Sequence, residues 1–128
     1  MTDHKFTMTI NGKAVAGTET FGVENPATGQ VFAQAPDCTK AELDEAVAAA
    51  RAALPAWKAT PIEKRRELLN VMAGIIMQNI PELSRLLTRE QGKPHPDAEG
   101  DVGAGAFWLM ESSKHEIPEH VSEDSAER

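Results

Sequence analysis

A single thiol, four histidines and a pair of adjacent serines are the side chains best suited to chemistry here, and their neighbours decide what they can do. Cys38 stands one residue before Thr39, where a helix N-terminus would activate a thiol. No histidine lies near it in sequence to serve as a base, so an incidental turn residue is the simpler reading. His4 and His95 are isolated, while His115 and His120 surround Glu116, Pro118 and Glu119. That spacing fits neither an H-E-x-x-H helix nor a zinc-finger pair, and exposed loop histidines are expected. Glu116, Glu119, Glu123, Asp124 and Glu127 form an acidic run that solvation explains without a bound cation. Ser112 and Ser113 have no adjacent base, and no Gly-x-Ser-x-Gly elbow occurs. Gly100, Gly103 and Gly105 fall inside a helical pattern, not at a strand-to-helix turn that cradles phosphate, and read as packing glycines. Residue by residue, no catalytic, cofactor-binding or metal-binding set is expected.

Bulk properties narrow the classes. The chain has 128 residues, of which 41% are hydrophobic and 26% charged, a globular balance suited to one domain. A formal net charge of −7 argues against a nucleic-acid partner. The densest basic cluster, Lys64-Arg65-Arg66, sits between Glu63 and Glu67 and reads as a solvated helix face. One cysteine excludes a disulfide framework within the chain. Met1–Ile10 has no apolar run typical of a secretory leader, and Val71–Met77 is too short to span a bilayer. A soluble cytoplasmic protein without membrane or nucleic-acid partners is the expectation.

The elements that would position any site follow from periodicity. Phe6, Met8 and Ile10 alternate with Thr7 and Thr9, and Asn11-Gly12 then predicts a tight hairpin to Lys13–Val15. Gly17–Thr20 reads as loop, Phe21–Glu24 and Gln30–Ala35 as a second strand pair, and Asn25-Pro26-Ala27-Thr28-Gly29 as the turn between them. Thr39-Lys40-Ala41-Glu42 is a capping box ahead of Leu43, Val47, Ala50 and Leu54, which share one helix face. Pro55 is expected to end that helix, with Trp57 folding back on the core.

Thr60-Pro61-Ile62-Glu63 reads as a second capping box with Pro61 at the first helical position. From Leu68 to Met77 the helix is apolar over most of its surface, the mark of burial from more than one direction. Asn79 is expected to cap a third helix, with Gly92 in the left-handed stop position and Pro94 forbidding continuation. A fourth helix is predicted from near Pro96-Asp97, with Ala98, Val102, Ala106 and Leu109 on one face and its glycines marking tight approach to another element. Ile117-Pro118 marks a loop, and Val121–Arg128 is polar.

The order of these pieces resembles the aldehyde dehydrogenase superfamily. Val23–Val31 (VENPATGQV) is similar to its "NPATGE" segment, and an alanine-rich helix ending in Ala56-Trp57 follows. Glu63–Leu69 resembles its R-x-x-x-L-L helix, Leu87–Pro94 its "E-x-G-K-P" stop, and Ala98–Val102 the start of its next helix. The resemblance covers about Ile10 to Arg128. It implies an α/β parent fold, with the segment present mostly α, about four helices, preceded by short β-hairpins. This would be the outer part of a Rossmann-like dinucleotide-binding domain. The implied parts are strands and turns over 1–36, helices of an incomplete dinucleotide-binding domain over 37–115, and a polar loop and truncated end over 116–128.

The resemblance also implies NAD(P)-dependent oxidation of an aldehyde to a carboxylate through a cysteine thioester, in a parent enzyme that is a homo-oligomer. The family's nucleophile, glutamate, oxyanion asparagine and dinucleotide contacts lie in later segments, and Cys38 matches none of them. Some members hold a monovalent cation near a backbone carbonyl around the position of Val23 and a carboxylate around that of Asp101. A helix N-terminal acid is the other reading of Asp101. Leu109-Met110 departs from the family's aromatic residues, which leaves the substrate open.

Two expectations follow. One is an N-terminal fragment, inactive by itself, binding neither NAD nor NADP tightly and partnered by the missing C-terminal part of its own domain. The other is a stand-alone helical binding module without enzymatic activity.

Overall fold

The computed structural model describes residues 6–116 together with Pro118 and Ser122. The readings made for His4, Ile117, Glu119, His120, Glu123, Asp124 and Glu127 fall outside those residues.

Two separate antiparallel hairpins open the chain. β1 (Met8–Ile10) pairs with β2 (Lys13–Val15), Met8 facing Val15 and Ile10 facing Lys13. Asn11 and Gly12 take φ of 52° and 71° between them, as the tight turn demands. β3 (Glu19–Asn25) pairs with β4 (Gln30–Asp37). Both strands outrun their sequence boundaries, because the ladder continues from Asn25 opposite Gln30 to Glu19 opposite Asp37 and draws in residues read as loop. A bulge at Val23/Glu24 shifts the register. The turn forms as expected. Asn25 Oδ1 accepts from the Ala27 N–H at 2.9 Å, and the Asn25 carbonyl accepts from Gly29 at 2.8 Å, with Gly29 at φ 66°.

Four helices follow: α1 (Lys40–Ala59), α2 (Ile62–Gln78), α3 (Ile80–Gln91) and α4 (His95–Lys114). The Thr39 capping box is present in full. Thr39 Oγ1 accepts from the Glu42 N–H at 3.3 Å, and the Thr39 N–H donates to Glu42 Oε2 at 2.9 Å.

Four expectations need correcting. Pro55 does not end α1, which runs four residues further. The end it reaches is well closed, since Thr60 Oγ1 donates to the Ala56 carbonyl at 3.0 Å and the Thr60 N–H to that of Trp57 at 3.1 Å. Those bonds offset the one that proline cannot make. Trp57 therefore stays on the helix, 48% exposed under the Arg65 guanidinium, and does not fold into a core. The same bonds consume Thr60, so the second capping box is absent and Pro61 precedes α2 as a cap without a side-chain bond. Asn79 likewise serves the other helix: Nδ2 donates to the Ile75 carbonyl at 2.8 Å and closes α2, leaving α3 without a side-chain cap.

α4 lies against both α2 and α3, the β3–β4 hairpin leans on α3, and α1 rests on β1. The contact between helices is made by small residues. Ala73 of α2, Ser84 of α3, and Ala98 and Ala106 of α4 are fully buried, which allows close approach of the axes. Val102 and Leu109 share the expected face of α4 and are partly buried. The glycines are not the cause of that approach, contrary to expectation. A Cβ at Gly100 or Gly105 would meet nothing within 4 Å, and one at Gly103 would lie 4.0 Å from Ile80 Cδ1. No described helix is long and apolar enough to cross a membrane.

Candidate functional site

The chemically capable residues lie apart and are occupied structurally. Cys38 is exposed and free, with its thiol 3.5 Å from the neighbouring Thr39 carbonyl. His95 begins α4 and faces Glu99 one turn on, Nε2 to Oε1 being 3.5 Å. His115 closes α4, and its carbonyl accepts from Arg66 Nη2 at 2.6 Å. Ser113 is buried, its hydroxyl donating to the Met110 carbonyl at 2.7 Å and standing 3.1 Å from Asn70 Oδ1. Neither neighbour is a base that could activate a nucleophile. Among the described residues no three His, Cys, Asp or Glu side chains gather as a metal site.

Val23 lies at the β3 bulge and Asp101 in the second turn of α4. Asp101 is ion-paired with Lys93, in the segment entering α4, so it is not a first-turn acid and its carboxylate is already engaged. A shallow depression of about 290 Å³ lies between the Asn11-Gly12 turn and Ala46, Ala49, Ala50 and Ala53 of α1. Thr9 and Ile10 complete its lining, which includes no acidic or basic residue.

Two features do stand out. The first is a joint built by residues far apart in sequence. The Arg89 guanidinium on α3 lies 4.1 Å from the Phe32 ring centroid on β4. Gly92 takes φ 70° at the end of α3, and a Cβ there would come 3.1 Å from Pro26 Cγ in the β3–β4 turn. With Lys93 paired to Asp101, this joint ties hairpin, α3 and α4 together. Local periodicity could not reveal it, although both ends of it belong to recognised segments.

The second feature is an uncovered apolar row on α2. Leu68, Val71, Met72 and Ile75 are 47–57% exposed, although no charged residue interrupts Leu68–Met77. Phe107 and Trp108 on α4, and Leu43, Val47 and Leu54 on α1, are also exposed. Large continuous apolar patches on a protein surface commonly mark interaction sites.

Residues 14–124 match the model of the aldehyde dehydrogenase family. The chain belongs to the aldehyde dehydrogenase family. It is 39% identical over 123 residues to a probable aldehyde dehydrogenase of Pseudomonas sp, covering 96% of this chain and 25% of that protein. It is 44% identical over 98 residues to the acylating methylmalonate-semialdehyde/malonate-semialdehyde dehydrogenase of rat mitochondria, covering 75% of this chain and 18% of that protein. Its fold is similar to the crystal structure of PnpE in complex with nicotinamide adenine dinucleotide, with TM-score 0.81, 30% identity and coverage of 86% of this chain and 23% of that one. The chain thus spans about a quarter or less of the relatives it matches. The helices and hairpins form part of an α/β NAD-binding domain.

Proposed function

We propose that this chain is the N-terminal segment of an NAD(P)-dependent aldehyde dehydrogenase and is catalytically silent by itself. The observation that carries the reading is the uncovered α2 row on a chain that already has the family's shape. Val71, Met72 and Ile75 are each about half exposed, and completing their burial would contribute roughly 1 kcal/mol apiece. The role of the segment is to cover the dinucleotide-binding sheet from outside, and the sheet itself belongs to the rest of the protein.

NAD or NADP would receive the substrate's hydride in the whole enzyme. No cradle for it is assigned to the described residues. Gly100, Gly103 and Gly105 sit inside α4, beyond the first turn where free N–H groups could meet a pyrophosphate. The thiolate that attacks the aldehyde and the glutamate that activates water are assigned to the remainder, and the whole enzyme to a homo-oligomer. In this reading Cys38, exposed between β4 and α1, takes no part in the reaction. A stand-alone binding module would use the same α2 row, but the family match over residues 14–124 favours the first reading.

Purified chain incubated with an aldehyde and NAD or NADP should yield no reduced nicotinamide. Turnover that rises with chain concentration would contradict the proposal.

A further inference from the structure

We infer that Leu68, Val71, Met72 and Ile75 of α2 form the docking face for the remainder of the same fold, and that this face is shaped in advance, so that the two parts join even as separate polypeptides. The inference rests on the family reading above. It adds which surface makes the contact and that the contact does not require a continuous chain.

The four residues follow one another at helical spacing along one side of α2 and are about half exposed. The other side of α2 is already committed. Ala73 is fully buried at the α4 contact, Asn70 meets Ser113 at 3.1 Å, and Arg66 holds the His115 carbonyl at 2.6 Å. α2 is therefore fixed in position while its row stays open.

The α4 it leans on is itself held by joints made within this chain. Lys93 with Asp101, Arg89 with Phe32, and Gly92 against Pro26 hold α3, α4 and the hairpin without any help from the remainder. A surface ordered beforehand loses less conformational entropy on association, which favours assembly from separate pieces. The occupant is set by length and shape. Relatives are about four times longer, and the chain superposes on one with TM-score 0.81, so the row faces what the longer chain contributes.

The test is to co-express the tagged 128-residue chain with the 39%-identical Pseudomonas relative lacking its matching N-terminal segment. The expected result is co-purification as a one-to-one complex. The double variant Val71→Glu with Ile75→Glu should lower capture by about tenfold or more, while Lys40→Glu, at the exposed start of α1 and off the α2 row, leaves it unchanged. Circular dichroism of the free double variant should match that of the parent chain, because both side chains are more than half exposed. An unfolded double variant would contradict the placement of the row.

Capture that is indifferent to the double variant, or self-association of the chain in place of capture, would overturn the inference. Absence of capture while a covalent fusion of the same two pieces oxidises aldehydes would overturn it and leave the family reading standing. An inactive fusion would bring down both.

Discussion

Glu42 accepts from the Thr39 backbone N–H and from its hydroxyl, and these bonds hold its carboxyl below the ordinary glutamate range. A carboxyl depressed in the folded state stabilises above its unfolded pKa, and that contribution is lost as pH falls through the folded value. Acidification below the ordinary glutamate range should therefore fray the first turn of α1. Far-ultraviolet dichroism across that range should show the loss in the parent chain and a flatter profile in Glu42→Gln. Thr39→Ala should cost about 1 kcal/mol in helix stability at neutral pH, measured by hydrogen exchange of the α1 first turn. Gly92 and Gly29 offer a second comparison, since both have positive φ but only Gly92 has a neighbour in the way. Gly29→Ala should cost about 1 kcal/mol through backbone strain alone. Gly92→Ala should cost more, and hydrogen exchange should speed up both around Gly92 and in the Asn25–Gly29 turn it touches.

Helix boundaries show where local patterns suffice and where they fail. The Thr39 box was legible because every partner lies within one turn. The Thr60 box has the same residue pattern, yet Thr60 closes α1, a choice that depends on α1 running through Pro55. Restoring the missing donor with Pro55→Ala should strengthen α1 by about 1–3 kcal/mol, measured by denaturant unfolding followed by dichroism. The hairpin turns and the Gly92 stop were legible because positive φ selects glycine and asparagine. The Arg89–Phe32 and Arg66–His115 contacts were not, because each joins segments with no local signal for the other. On α2 the two faces should answer differently. Val71→Ser should shift the isolated chain's stability by no more than about 0.5 kcal/mol, as expected of a surface position. Ala73→Leu, which overfills the α4 contact, should destabilise by about 1–3 kcal/mol. Equal effects in a urea titration would contradict the assignment of an open and a closed face.

At the scale of the molecule, the described residues bury few large apolar side chains. Ile10, Ala73, Ala98 and Ala106 are the buried hydrophobics, while the bulky side chains of α1, α2 and α4 lie outside. The excess apolar surface of Leu68–Met77 was visible in the sequence. Its want of a cover was visible only once α4 was seen to occupy one side and nothing among the described residues the other. The candidate site was legible as a family likeness and not as a constellation, because the chemically capable side chains among the described residues lie apart. The most direct measurement is a graft: this chain replaces the matching segment of the Pseudomonas relative, and aldehyde-dependent formation of NADH or NADPH is followed by absorbance. The account predicts a soluble graft that oxidises aldehydes while the isolated chain does not. A folded graft without activity, or equal activity from the chain alone, would contradict it.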